Sequence, residues 1–334
     1  MRRPAFAAVV LVLGMLAVQG CGGEYPQSAL HPNSDAATLL DRLFDQIFWW
    51  AAGVFVVVEG ILVYTLVRFR QRPGGPRPKE MHGSVLLEVA WTLAPALILV
   101  AIAIPTMRTI FLVDRSTDDP DALVVEAIGR QWWWEFRYPE LGIVTANEAH
   151  VPVGRTVDLR LRTADVIHSF WVPRLAGKRD LMPGRENQLW FRPDSVGVFH
   201  GQCAEFCGTA HALMGMRVIV EEPEEFERWA RANAAGAVTP ADAEARAGQG
   251  VFMSNACVGC HTVRGTSAAD RFGPDLTHFG SRLTIASGVL ENTPANLTRW
   301  LDSPQHVKPG NFMPEVVLNP AQIRQLVAYL GALR

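Results

Sequence analysis

Two long apolar runs dominate the first third of the chain. Ile47 to Val67 is apolar for about the 20 residues that a helix needs to cross a bilayer, and Val85 to Ile104 forms a second run of that kind. Between them lies Arg68-Phe-Arg-Gln-Arg-Pro-Gly-Gly-Pro-Arg-Pro-Lys79, a Pro/Gly loop with five positive charges. Positive loops stay on the cytoplasmic side, so the pattern predicts a hairpin of two spans with both outer ends on the far face. Pro95 and Pro105 are expected to kink or cap the second span. Past Ala122 the texture changes. Leu123-Val-Val-Glu-Ala-Ile, Thr156-Val-Asp-Leu-Arg-Leu-Arg and Arg217-Val-Ile-Val-Glu are short β-rich runs divided by Gly and Pro turns, which reads as a sandwich up to about Glu222. A helix opens at Pro223, a linker follows at Ala232-Asn-Ala-Ala-Gly-Ala-Val, and Thr239 is expected to cap another helix. Thr293-Pro and Asn319-Pro signal two more. The last places Ile323, Leu326, Val327 and Leu330 on one face.

The first residues add a leader. Met1-Arg-Arg is a basic start and Ala5 to Val18 is an apolar stretch too short for a comfortable span. Leu16-Ala-Val-Gln-Gly-Cys21 resembles a bacterial lipoprotein signal, with Cys21 as the acylated residue; ordinary signal-peptide cleavage is the competing reading. At 334 residues there is room for two or three domains, and 49% hydrophobic content agrees with membrane segments. A net charge of -2 without a basic stripe outside the loop excludes a nucleic-acid partner.

The cysteines carry the chemistry. Of five, Cys21 stands alone, Cys203 pairs with Cys207, and Cys257 pairs with Cys260. Cys203-Ala-Glu-Phe-Cys207-Gly-Thr-Ala-His211-Ala-Leu-Met214 gathers two thiols, an imidazole and a thioether, and His168 supplies a second imidazole upstream. Thiolate, imidazole and thioether together suit copper held for electron transfer. Two bridging thiolates, with one His per ion, make a dinuclear centre. The competing readings are a disulfide and a zinc site, and a structural disulfide would need neither the His nor the Met. Met216 is nearby, and strand packing is its expected role. Cys257-Val-Gly-Cys260-His261 is the attachment motif for a c-type haem, with His261 below the iron. The only Met after the motif is Met313, flanked by prolines that keep it in a loop, so it is the expected sixth ligand. His278 and His306 are its rivals.

His168 followed by C-x-E-x-C-x-x-x-H-x-x-M resembles the CuA site of cytochrome c oxidase subunit II. Together with the hairpin and haem motif, the whole chain resembles the caa type of that subunit, which carries a fused cytochrome c domain. The resemblance implies three parts: a two-helix transmembrane hairpin, a cupredoxin-like Greek-key β-sandwich and an all-α class I cytochrome c domain. The expected bounds are a signal peptide at 1–20, a hairpin segment at 21–118 with spans about 47–67 and 85–107, a copper domain at 119–225, a linker at 226–238 and a haem domain at 239–334. It implies that Cys203 and Cys207 bridge two coppers, that His168 and His211 take one each, that Met214 binds one, and that the Glu205 carbonyl binds the other. The Glu205 carboxylate resembles one that binds magnesium at the boundary with subunit I.

Other roles follow from the same resemblance. In Gln131-Trp132-Trp133-Trp134, alternation puts Trp132 and Trp134 on one face if the stretch is extended. Trp132 resembles the residue where electrons enter, against plain packing. Asp165 and Asp180 match acids that orient cytochrome c, against plain solvated charges. Glu88 resembles the carboxylate at the mouth of a proton channel, against a helix-start carboxylate favoured by the dipole. Glu59 interrupts the first span and has no assigned role; contact with a partner subunit is expected. The implied function is to accept electrons from a reduced donor at a covalent haem c and pass them through CuA to haem A of subunit I, for dioxygen reduction coupled to proton pumping. The implied partners are subunit I with its haem A and CuB, subunit III, membrane lipid, and an external cytochrome c or reductase. The implied place is the bacterial inner membrane, with the N-terminus and both redox domains outside. A copper-delivery protein would not need a haem or the hairpin, a haem redox sensor would need an output domain, and a quinol oxidase subunit would lack these copper ligands.

Overall fold

The computed structural model describes residues 25–71, 73–74, 83–114, 117 and 119–334. The leader, Cys21 and much of the basic loop lie outside the described residues.

Helix α1 (Asp35–Arg68) and helix α2 (Val85–Asp114) form the hairpin. At 34 residues α1 is about 51 Å long, well beyond a bilayer core of about 30 Å. The extra length precedes the apolar run. Ser34 caps it, its Oγ accepting from Ala37 N at 3.0 Å while the hydroxyl donates to Leu175 O. Ala36 and Ala37 are buried against the next domain. Residues 35–46 mix Asp35, Asp41 and Asp45 with Leu39, Leu40 and Phe44, so hydropathy alone does not mark them as a span. Pro95 and Pro105 both lie inside α2 without ending it. The outward faces are apolar, with Val57, Leu66, Leu97 and Phe111 exposed, a surface that only lipid or other helices can cover.

Ten strands follow: β1 (Leu123–Arg130), β2 (Trp133–Tyr138), β3 (Ile143–Ala146), β4 (Glu148–Pro152), β5 (Val157–Thr163), β6 (His168–Trp171), β7 (Arg179–Leu181), β8 (Asn187–Phe191), β9 (Gly197–Cys203) and β10 (Gly215–Glu221). They build two five-stranded sheets, ordered β3-β2-β1-β5-β8 and β4-β10-β9-β6-β7. β1 with β5 and β4 with β10 run parallel; the other pairs are antiparallel. Alternation along β5 buries Val157, Leu159 and Leu161 while Arg162 stays in water. They meet Trp134, Phe136 and Phe170 between the sheets, with Phe170 edge-on to both aromatic rings. Met216 is fully buried on β10, in the packing role expected of it.

Helix α3 (Pro223–Ala234) lies on the sandwich, where Trp229 stacks on His150 at 4.3 Å. The linker expected from residue 226 is therefore helical as far as Ala234, because Phe226 and Trp229 have an apolar surface to cover. The haem lobe comprises α4 (Ala243–Ser254), a small hairpin of β11 (Thr284–Ile285) and β12 (Leu290–Glu291), α5 (Pro294–Asp302), α6 (Pro304–Val307) and α7 (Pro320–Ala332). Asp242, not Thr239, caps α4: its carboxylate accepts from Glu244 N and Ala245 N. The helix begins at Ala243, which places Asp242 two and three residues before those donors and leaves the hydroxyl at 239 too far upstream to reach them. Thr293 and Asn319 cap α5 and α7 as expected, Asn319 through a full capping box with Gln322. Ile323, Leu326 and Leu330 are buried in the lobe's core, and Val327 packs at its edge.

Helices α4 and α7 cross at Gly248. A Cβ there would lie 1.9 Å from Gln325 O, so only glycine lets the backbones approach. Gly248→Ala should cost the haem lobe about 1–3 kcal/mol by forced separation of the helices. Thermal melting of the full-length protein, followed by circular dichroism, should show the lobe's transition falling by about 4–8 °C per kcal/mol.

Candidate copper and haem sites

Cys203 ends β9, and its backbone N–H donates to Met214 O at 3.0 Å, at the foot of β10. That pairing closes the loop between the strands and turns its side chains inward. The two buried sulfurs lie 3.8 Å apart, too far for a bond, and both cysteines are free. Each sulfur has its own imidazole. His168 Nδ1 is 3.8 Å from Cys203 Sγ, and His211 Nδ1 is 3.4 Å from Cys207 Sγ. Met214 Sδ lies 3.8 Å from Cys207 Sγ, and Glu205 O lies 3.2 Å from Cys203 Sγ. The structure thus brings together the five residues singled out by spacing and the Glu205 carbonyl that the resemblance implied. His168, Cys203 and Cys207 already converge closely enough to share a metal ion. The donor set, two thiols with imidazoles and a thioether, matches soft, polarisable copper better than zinc.

The surroundings hold these donors in place. His168 is fully buried, and its Nε2 meets Asp165 Oδ1 at 2.7 Å, which orients Nδ1 toward the sulfurs. Its ring rests on Gly129 of β1, where a Cβ would sit 2.6 Å from His168 Cδ2. Trp132 Nε1 and Gln131 Nε2 donate to Cys207 O at 3.0 and 2.7 Å. Hydrogen bonding with Cys207 holds the Cys203 thiol well below its ordinary value, against the cost of burial and with help from His168. The same contact, together with burial, pushes Cys207 up. One sulfur is therefore poised as thiolate before any metal arrives.

Two expectations change here. Trp132 precedes β2, so strand alternation governs Trp133 and Trp134 but not Trp132, which bonds to the copper loop through Nε1 and is covered by Phe312. Asp165, expected to steer a partner protein, spends its carboxylate on His168 and on Gln131 N at 2.7 Å. Asp180 stays exposed on β7, its carbonyl accepting from Asn187.

A cavity of the haem lobe, bounded on one side by Trp132 and Asn147 of the copper lobe, is lined by Phe252, Leu276, Leu297 and Leu326 together with Cys257, Cys260, His261 and Met313. His261 Nδ1 bonds to Pro274 O at 2.7 Å, which leaves Nε2 for a metal. Burial lowers the His261 pKa, keeping the neutral form that ligates. Gly273 packs against its ring, 2.7 Å from a would-be Cβ. Half-buried Arg282 also lines the cavity, with its Nε unpartnered, a donor suited to an anionic group within. Apolar walls, two thiols, a neutral imidazole and an orphaned guanidinium N–H fit a covalently held haem. Of the rival ligands, His278 points its Nε2 at Ala235 O at 3.1 Å, and His306 is exposed away from the cavity.

In the hairpin, Glu88 sits exposed in the first turn of α2. Glu59 is half-buried in the groove between α1 and α2, beside Trp50, Val54 and Ile98. Sequence reasoning missed Glu148, Lys308 and Phe312, which join the two redox lobes. Phe312 sits next to Met313 and could have been noticed on that ground. No local signal marks Glu148.

The Asp165–His168 pair carries a pH signature in the metal-free chain. Burial works against the charged form of each, yet their mutual bond prevails, with further help from Gln131, Val166 and Cys203. Asp165 is held below its ordinary 3.8 and contributes stability above that value. His168 is held above its ordinary 6.5 and contributes stability that is full below 6.5 and lost as pH rises through its folded value. Calorimetry should show Asp165→Asn lowering the melting temperature more at about pH 5.5 than at about pH 8.5.

The chain is similar to known proteins along nearly all of its length. The periplasmic domain of cytochrome c oxidase subunit II matches residues 142–222, its transmembrane domain matches 27–109, and cytochrome c matches 245–334. Cytochrome c oxidase subunit 2 of Alkalihalophilus pseudofirmus is 38% identical over 96% of this chain and 94% of that protein. The subunit of the same name from Bacillus subtilis is 34% identical over 98% and 97%. Among solved structures, the periplasmic domain of subunit II of cytochrome oxidase from Bradyrhizobium japonicum is 33% identical, with a TM-score of 0.34, over 35% of this chain and 96% of that one. The matched domains imply copper and haem as cofactors and a membrane anchor. The chain belongs to the cytochrome c oxidase subunit 2 family and carries a cytochrome c domain at its C-terminal end.

Proposed function

We propose that this subunit takes electrons from a reduced donor at a covalent haem c and delivers them through a dinuclear copper centre to haem A of subunit I, for dioxygen reduction coupled to proton pumping. The observation that carries the reading is the pair of buried, unbonded thiols 3.8 Å apart, each with its own imidazole. Cys203 and Cys207 would bridge the coppers, with His168, His211, Met214 and the Glu205 carbonyl completing the set. Cys257 and Cys260 would hold the haem, with His261 and Met313 on its iron. When bound, each centre takes up and releases one electron at a time.

The chain's own residues make that change inexpensive. The sandwich fixes His168 and Cys203 on two paired strands and the other donors in the loop that β9 and β10 close, so little moves when charge changes. Asp165 and Gly129 together set the His168 ring. Trp132 joins the surface of the copper lobe to Cys207 O through one hydrogen bond, which suits it to receive the electron. The exposed carboxylate of Glu205 can bind magnesium at the boundary with subunit I. Glu88 at the start of α2 can hold a proton at the mouth of a channel into subunit I. The fused haem lobe replaces a diffusional encounter with a permanently high local concentration of donor. Both redox lobes would lie outside the bacterial inner membrane, with subunit III and an external cytochrome c or reductase as further partners, and a lipid on Cys21.

Electron paramagnetic and optical spectra of the full-length protein test this. A copper signal delocalised over two ions, beside a low-spin haem with His and Met ligands, is the expected result. A signal confined to one copper would defeat the dinuclear reading, and haem without copper would leave a membrane cytochrome. Cys207→Ser should abolish the delocalised signal. Gly129→Ala, by displacing His168, should alter it and lower copper retention by about tenfold. In the assembled oxidase, Glu88→Gln should slow turnover by about tenfold while leaving both spectra intact.

A further inference from the structure

The two redox lobes are joined by a seam of buried polar groups. Glu148 opens β4 of the copper lobe and is 1% exposed. Its carboxylate accepts three hydrogen bonds from the haem lobe: Leu283 N at 2.9 Å, Thr284 N at 2.7 Å and Thr284 Oγ1 at 2.7 Å. Next to it, Asn147 Oδ1 accepts from Ser287 Oγ at 3.2 Å, and Gly215 N donates to Ser287 O at 3.0 Å. Lys308 of the haem lobe reaches the other way. It is 3% exposed, and its Nζ donates to Trp132 O at 2.6 Å and to Ala286 O at 3.2 Å. Between them, the Phe312 ring packs on Trp132 with centroids 5.0 Å apart.

Burying a carboxylate and an ammonium is costly unless each is fully hydrogen-bonded. Here Glu148 accepts three bonds and Lys308, whose pKa burial lowers to about 7, donates two, and they do so only in this register. A shift of one residue in the β11 strand would turn Thr284 away from Glu148 and leave a charge unpaired. The seam therefore selects one seat over all others. That seat sets the residue beside Met313 against the ring that bonds to Cys207 O, and it covers Trp132, which is 6% exposed.

We propose that Glu148 and Lys308 are positioning residues that latch the haem lobe in a single seat over Trp132, so that a donor protein reaches the copper lobe only by way of the haem lobe. The proposal rests on the reading of the two redox centres given above. In this arrangement the linker at 235–241 does not swing the haem lobe during turnover. Transfer between the lobes crosses the Phe312–Trp132 contact.

Glu148→Ala and Lys308→Met test it in the assembled oxidase. The two changes lie in different lobes, so a folding defect in one cannot imitate both. Each should raise amide hydrogen exchange at 283–287 by about tenfold or more. Each should also slow haem-to-copper electron transfer by about tenfold, with both midpoint potentials unmoved, the signature of greater distance rather than altered driving force. Exchange and transfer both within about twofold of the parent in both variants would overturn the latch. Faster exchange with unchanged transfer would overturn the positioning role. The exchange measurement needs no copper signal, so loss of the dinuclear reading and loss of the latch are separable results.

Discussion

Two sulfur atoms must be kept close without being allowed to bond. At 3.8 Å, Cys203 and Cys207 are near enough to share a metal and too far for a disulfide, and much of the copper lobe is arranged around that separation. The β9–β10 pairing pins one cysteine, the carbonyl of the other is held by Gln131 and Trp132, and the floor beneath His168 is a glycine. None of these contacts is strong alone, each being worth about 1 kcal/mol. Their value is geometric, because a set of donors fixed beforehand leaves no reorganisation to be done when an electron arrives.

Much of this was legible before any coordinates. The ligand spacings, C-x-x-C-H motif, hairpin and capping residues of α5 and α7 all lie in local sequence, and local sequence is where spacing and capping act. What escaped is what depends on distant partners. Asp165 reads as a surface acid until β6 brings His168 against it. Thr239 and Asp242 are both fair caps by type, and only the backbone path decides between them. The amphipathic start of α1 carries too many polar residues to look like a span, yet it is helix because the sandwich buries Ala36 and Ala37.

The seam between lobes is the extreme case. Glu148 meets Thr284 across 136 positions and Lys308 meets Trp132 across 176. Neither residue has a motif, and a buried Lys or Glu runs against composition-based expectation. A short β-hairpin in an otherwise helical lobe supplies the backbone N–H groups that Glu148 needs, a feature that haem-binding motifs do not require.

The strap before α1 has a consequence for biogenesis. Asn33 donates to Ser195 Oγ, Asn33 N donates to Arg174 O, and Ser34 and Asp35 bond to Leu175 O and Arg192 N. Residues on one side of the hairpin are thus sewn to loops of the sandwich made some 140 to 160 positions later. A chain emerging from the ribosome cannot close that stitch until both helices and the sandwich have been made. Membrane insertion and folding of the copper lobe end in one shared step, and a chain that stalls between them leaves the outer end of its first helix unanchored.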